Sequence, residues 1–209
     1  MAGDDSPERH EELMWATHEA LLNHGYADLG MRDIAAESTK SHSLLTYHYD
    51  TKRNLVESYL DFLVGLLGDA VEESDADHPV DRLDELLDYF TVGTEVYPED
   101  LQRAFLELQL LALREEAFRE TLADHDRDNV DLVADVVADG VERGAFRDDL
   151  DPDALARLVL SAVLGASERE VTTGTDGLAD EVRETLRAEV YPTLLSEDAS
   201  VPKLSERDA

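Results

Sequence analysis

SHSLLTYHYDTK, residues 41–52, is nearly free of carboxylates in a chain whose formal net charge is -32. It carries two histidines, two tyrosines, a lysine and several hydroxyls against a single acid, Asp50. On a helical wheel His42, Ser43, Thr46 and Tyr47 share one polar arc, and Leu44, Leu45, His48 and Tyr49 lie opposite. Such a helix docks through Leu45 and Tyr49 and turns hydroxyls, an imidazole and a phenol outward. Those groups hydrogen-bond base edges and phosphates without adding negative charge.

Upstream, MRDIAAE reads as a short helix on Met31, Ile34 and Ala35, followed by the turn STK and by Ser41 as an N-cap. The two helices together read as a helix-turn-helix. Downstream, Asp50 or Thr51 is the cap of a long helix, and Lys52 falls in its first turn, where backbone N–H groups favour a phosphate. Over residues 26–56 four acids (Asp28, Asp33, Glu37, Asp50) balance four bases (Arg32, Lys40, Lys52, Arg53). The rest of the chain therefore carries the entire -32. A neutral island in an acidic chain is expected where a negative partner must approach.

The remaining sequence predicts an all-α protein of about nine helices. Leu13, Thr17, Ala20, Leu21 and His24 mark the first helix, with Gly25 as its stop. Leu55, Tyr59, Phe62, Leu63, Leu66, Leu67 and Ala70 form the apolar face of the fourth. Leu83, Leu86, Leu87 and Phe90 mark the fifth; Pro98 opens the sixth as a first-turn proline, ahead of Leu101, Phe105 and Leu108. The seventh runs from Phe118 to Val141 and closes at Gly144, and Asp151-Pro152 is a cap plus first-turn proline for the eighth. Pro192 is expected to end or kink the ninth, and SEDASVPKLSERDA to fray. Trp15 is expected to pack on helix one.

Several functions are disfavoured. Without cysteine there are no disulfides or thiolate metal sites, and the seven histidines show no i,i+4 pair, so no metal or cofactor is expected. No nucleophile elbow or phosphate-binding glycine loop occurs, and an enzyme is not expected. The longest apolar-rich piece is broken by Asp61 and Asp69 and the N-terminus lacks an apolar signal core, which predicts a cytoplasmic protein without membrane spans. Acids spread over nearly every helix, with only Lys40, Lys52 and Lys203 as lysines, fit a solvated shell relieved by concentrated salt, as in extreme halophiles.

GYADLGMRDIAAESTKSHSLLTYHYDTKRNLV, residues 25–56, resembles the DNA-binding segment of TetR-type (TetR/AcrR) transcriptional regulators. Gly25, Tyr26, Ile34, Ala35, Ser38, Ser41, Ser43, Leu45, His48, Thr51, Lys52 and Leu55 match the family pattern, with Tyr49 standing for its buried phenylalanine. Departures are Leu29-Gly30 for a capping threonine, Thr39-Lys40 in the turn, and Thr46 for a tyrosine. Gly30 must then cap helix two. GAFRDDLDPDALARLVLSAVLGA resembles the family's junction between helices seven and eight.

The resemblance implies a DNA-binding domain at 1–50, an effector-binding and dimerisation domain at 51–195, and a flexible tail at 196–209. It implies a homodimeric repressor on an imperfectly palindromic operator in double-stranded DNA. Arg32, Lys40, Ser41, His42, Ser43, Thr46, Tyr47, His48 and Lys52 are the DNA-contacting candidates. A small, largely hydrophobic effector would be lined by Phe62, Leu66, Tyr89, Phe90, Phe105, Leu108 and Gln109. Helices eight and nine of two subunits would meet through Leu155, Leu158, Val159, Ala162, Val163, Gly165, Ala166, Val182 and Leu186, where small residues permit close approach. The competing reading is a helical ligand-binding or oligomerisation module without DNA binding, against which the neutral island argues.

Overall fold

A computed structural model describes residues 7–38, 42–71, 76–94 and 97–196, with side chains described except at 7–9, 42–44 and 67–71. Among these residues the protein is helical, apart from one isolated bridge between Phe146 and Leu195. The elements are α1 (Pro7–Asp28), α2 (Met31–Glu37), α3 (His42–His48), α4 (Lys52–Val71), α5 (Pro79–Tyr89), α6 (Glu99–Ala112), α7 (Glu116–Glu142), α8 (Pro152–Thr173), α9 (Leu178–Thr185) and a short α10 (Tyr191–Leu194). None is long and apolar enough to cross a membrane.

Local chemistry explains the boundaries. Gly25, at φ 67 and ψ 154, breaks the ladder of α1 as its sequence position predicts, and the chain resumes one further turn to Asp28. Gly30 caps α2 without a side chain; instead the Asp33 carboxylate accepts the Gly30 N–H at 2.8 Å. Of the two candidate caps for α4, Thr51 is used, its Oγ1 accepting the Asn54 N–H at 3.1 Å. Pro98 lies just ahead of α6 rather than in its first turn, and its carbonyl accepts from the Leu101 and Gln102 N–H groups. Asp151 caps α8 by accepting the Ala154 N–H at 3.1 Å, with Pro152 at the first position. Pro192 lacks an N–H, and the helix before it widens into a π turn over Leu186–Val190.

The chain forms two compact units. One comprises Met1–Gly68 and Arg103–Ala123, the other Asp69–Gln102 and Asp124–Ala209. In the first, Met14, Leu21, Ile34, Leu45, Leu55, Tyr59, Leu60 and Leu108 are fully buried. Trp15 packs edge-on to Phe62 of α4, beyond its own helix. In the second, Leu83, Leu87, Phe90, Val133, Val137, Phe146, Val159, Val163 and Tyr191 form one apolar core. Buried Ser167 stitches it, donating to the Phe90 carbonyl and accepting the Val92 N–H. Ser196, expected to fray, is instead held: its N–H donates to the Ala145 carbonyl and its hydroxyl to that of Gly144. Residues 197–209 of the expected tail lie outside the described residues.

Candidate nucleic-acid interface

α1 packs on α2 and α2 on α3. Ile34 and Leu45 are both completely buried, which anchors the helix-turn-helix from inside. Toward its end α3 is exposed: Tyr47 is 80% exposed, with its ring edge-on to His48, which is exposed although the helical wheel sets it on the side of Leu45. Thr46 is half-buried beside them. Tyr49 is only half-buried, and its hydroxyl lies 3.3 Å from Nδ1 of His10. A phenol keeps a polar tip that a phenylalanine would bury, so the full burial expected of this residue does not occur. Arg32 is exposed in the first turn of α2. His42 and Ser43 begin α3 by backbone, while Lys40 and Ser41 lie outside the described residues.

Both cations at the start of α4 have partners within the protein. Lys52 Nζ donates to the Tyr26 carbonyl at 2.7 Å and stands 4.3 Å from the centre of the Tyr26 ring. Arg53 pairs with Glu57 at 2.8 Å and Glu115 at 3.0 Å. The Arg53–Glu57 pair has i,i+4 spacing and was visible in sequence; Glu115 was not. Tyr26 is itself held, its N–H donating to Glu107 Oε2 of α6 at 2.7 Å. Burial, with the Glu115 carboxylate adding to it, raises the Tyr26 phenol above its ordinary range. Sequence reasoning missed Tyr26, Glu107 and Glu115 as neighbours of the site, because these contacts join residues far apart in the chain.

The other candidate residues divide. Phe62, Leu66, Phe105, Leu108 and Gln109 belong to the first unit, Tyr89 and Phe90 to the second, where Phe90 is part of the core. Of the residues expected at a subunit interface, Leu155, Val159, Val163, Ala166 and Leu186 are buried within the protomer. Leu155, Val159, Val163 and Leu186 pack the second unit's own core. Leu158 is 59% exposed, and Ala162, Gly165 and Val182 are half-buried. Among the described residues no acid–histidine cluster fit for a metal occurs.

Residues 13–59 match the family model described as bacterial regulatory proteins of the tetR family, and residues 111–186 a tetracyclin repressor-like C-terminal domain. A TetR transcription regulator from Haloarcula marismortui superimposes with a TM-score of 0.81 at 32% identity, over 90% of this chain and 99% of that one. A TetR-family regulator from Rhodococcus sp. gives 0.71 at 27%, over 86% and 95%. The fold is shared by a transcriptional regulator from Saccharomonospora viridis in complex with choline, with a TM-score of 0.75 at 22% identity over 91% and 100%. No curated protein matches the sequence. The helix-turn-helix and its helical body are those of a transcription regulator. The chain belongs to the TetR family.

Proposed function

We propose that this protein is a homodimeric, cytoplasmic repressor that reads an imperfect palindrome with α3 and is released by a small, largely hydrophobic effector. Residues 1–50 serve as the reading domain and 51–195 as the effector-binding and dimerisation domain. The observation that carries this reading is the exposed pair Tyr47 and His48 on a helix anchored by Leu45, within a 31-residue neutral stretch (26–56) of a chain of charge -32. His42, Ser43 and Thr46 read base edges, while Lys52, Tyr47 and His48 hold phosphates, with Arg32, Lys40 and Ser41 adding contacts. Two such helices in successive major grooves require half-sites about one helical turn apart. A second copy packs on the outward side of α8, at Leu158, Ala162 and Gly165, with Val182 of α9 beside it. A Cβ at Gly165 would meet nothing within 4 Å in the protomer, so the surface there is available to a partner helix. Of the expected effector contacts, Phe62, Leu66, Phe105, Leu108 and Gln109, all of the first unit, remain the proposed lining.

Selection from a random duplex pool in molar KCl tests the reading. Wild type should enrich an inverted repeat, and Thr46→Glu should lose it, because a carboxylate facing bases and phosphates is repelled. Enrichment of no duplex, together with a monomer in sedimentation, would leave the family fold but remove this function.

A further inference from the structure

Gly25, by leaving helical dihedrals, takes the Tyr26 N–H out of the α1 ladder and points it at a side chain instead of a carbonyl one turn back. That side chain is Glu107, 81 residues away in sequence, whose Oε2 accepts at 2.7 Å. Two other groups of Tyr26, its carbonyl and its ring, hold the Lys52 ammonium at 2.7 Å and 4.3 Å. Glu107, Tyr26 and Lys52 thus form a line of contacts with a charge at each end, and charge-assisted hydrogen bonds are the stronger and more directional kind. Lysine ordinarily has large rotamer freedom, so fixing its ammonium before a phosphate arrives removes an ordering cost from binding. Nearby Arg53 is committed to Glu57 and Glu115, which leaves Lys52 as the cation whose position matters at this helix start.

We propose that Glu107 of α6 is a positioning residue for DNA binding. Acting through Tyr26, it fixes the Lys52 ammonium beside the first turn of α4, without touching DNA. This rests on Lys52 being the phosphate anchor of the proposed regulator. It also predicts that glutamine, which keeps the acceptor oxygen, substitutes for glutamate, whereas alanine does not.

The test uses the full chain and the duplex that wild type selects. Affinity is measured against KCl concentration for wild type, Glu107→Gln and Glu107→Ala, on the selected duplex and on a scrambled one. In parallel, acylation of Lys52 in DNA-free protein is followed by mass spectrometry, which is simple in a chain with three lysines. Glu107→Ala should label Lys52 several-fold faster and bind both duplexes several-fold more weakly, with Glu107→Gln close to wild type in both readouts. Should Glu107→Ala fail to fold, Glu107→Asp, whose carboxylate falls short of Tyr26, carries the same expectation. Unchanged labelling would overturn the proposal, since a purely structural role would not alter Lys52. Tighter DNA binding by Glu107→Ala would overturn it as well, because the contacts would then be withholding the cation. A wild type that selects no duplex ends the regulator reading and this role with it. A wild type that binds no better than Glu107→Ala ends this role alone.

Discussion

Two pairs of cations, each on one helical stretch, are used in opposite ways. At the start of α4, Lys52 is held by a carbonyl and a ring, and Arg53, with a 47% exposed side chain, pairs with Glu57 and Glu115. On α9 and the π turn after it, Arg183 and Arg187 reach Asp88 and Asp84 of α5. Arg187 makes two hydrogen bonds to Asp84, whose side chain is only 10% exposed. Tyr191 is buried near the same group, and burial first, then Asp84, holds its phenol well above the ordinary range. A chain with 18 cations against 50 acids has few to place. Arg183 and Arg187 tie α9 and the π turn to α5, with Arg187 neutralising the buried Asp84, whereas Arg53 pairs at the exposed surface.

The contrast is broken most directly by removing one arginine from each pair. Arg187→Ala leaves the Asp84 carboxylate buried without its partner, and the expected loss is about 3–5 kcal/mol in denaturant unfolding. Arg53→Ala removes an exposed pair and should leave the same measurement nearly unchanged. Equal losses would erase the distinction. The second unit also holds a close contact: a methyl at Gly140 of α7 would overlap the Phe146 ring. Gly140→Ala should therefore cost about 1–3 kcal/mol, read as a lowered denaturation midpoint, with DNA affinity unchanged.

The outward pair is sharpened through binding rather than stability. Lys52→Ala should weaken all duplexes about equally and reduce the salt slope by about one phosphate per subunit. A loss confined to one sequence would instead make Lys52 a base reader. The smallest effect concerns His125 of α7, which is buried and lies 3.2 Å from the Asn129 amide. Burial lowers its pKa from 6.5, against the opposing pull of Asp128 and Asp126. The unfolded chain takes up this proton first, so the contribution of neutral His125 to stability is present above about pH 6.5 and shrinks as pH falls below it. His125→Asn should flatten that acid limb, and an unaltered limb would assign the slope to other groups.

The amino-acid sequence by itself determined the helical class, most helix ends and the helix-turn-helix. Asp151-Pro152, Thr51, Gly144 and the contiguous 25–56 motif are legible because capping and turn formation depend on residues a few positions apart. Only the tertiary structure decided which side of α8 faces in. Leu155, Val159 and Val163 are as apolar as Leu158, and apolarity on both sides of a helix does not say which side meets the core. The same holds for Tyr26 and Glu107, for Arg53 and Glu115, and for Ser196 against the turn after α7. Each is a polar group satisfied by a distant residue, and that partner exists only once packing has brought the two helices or turns together.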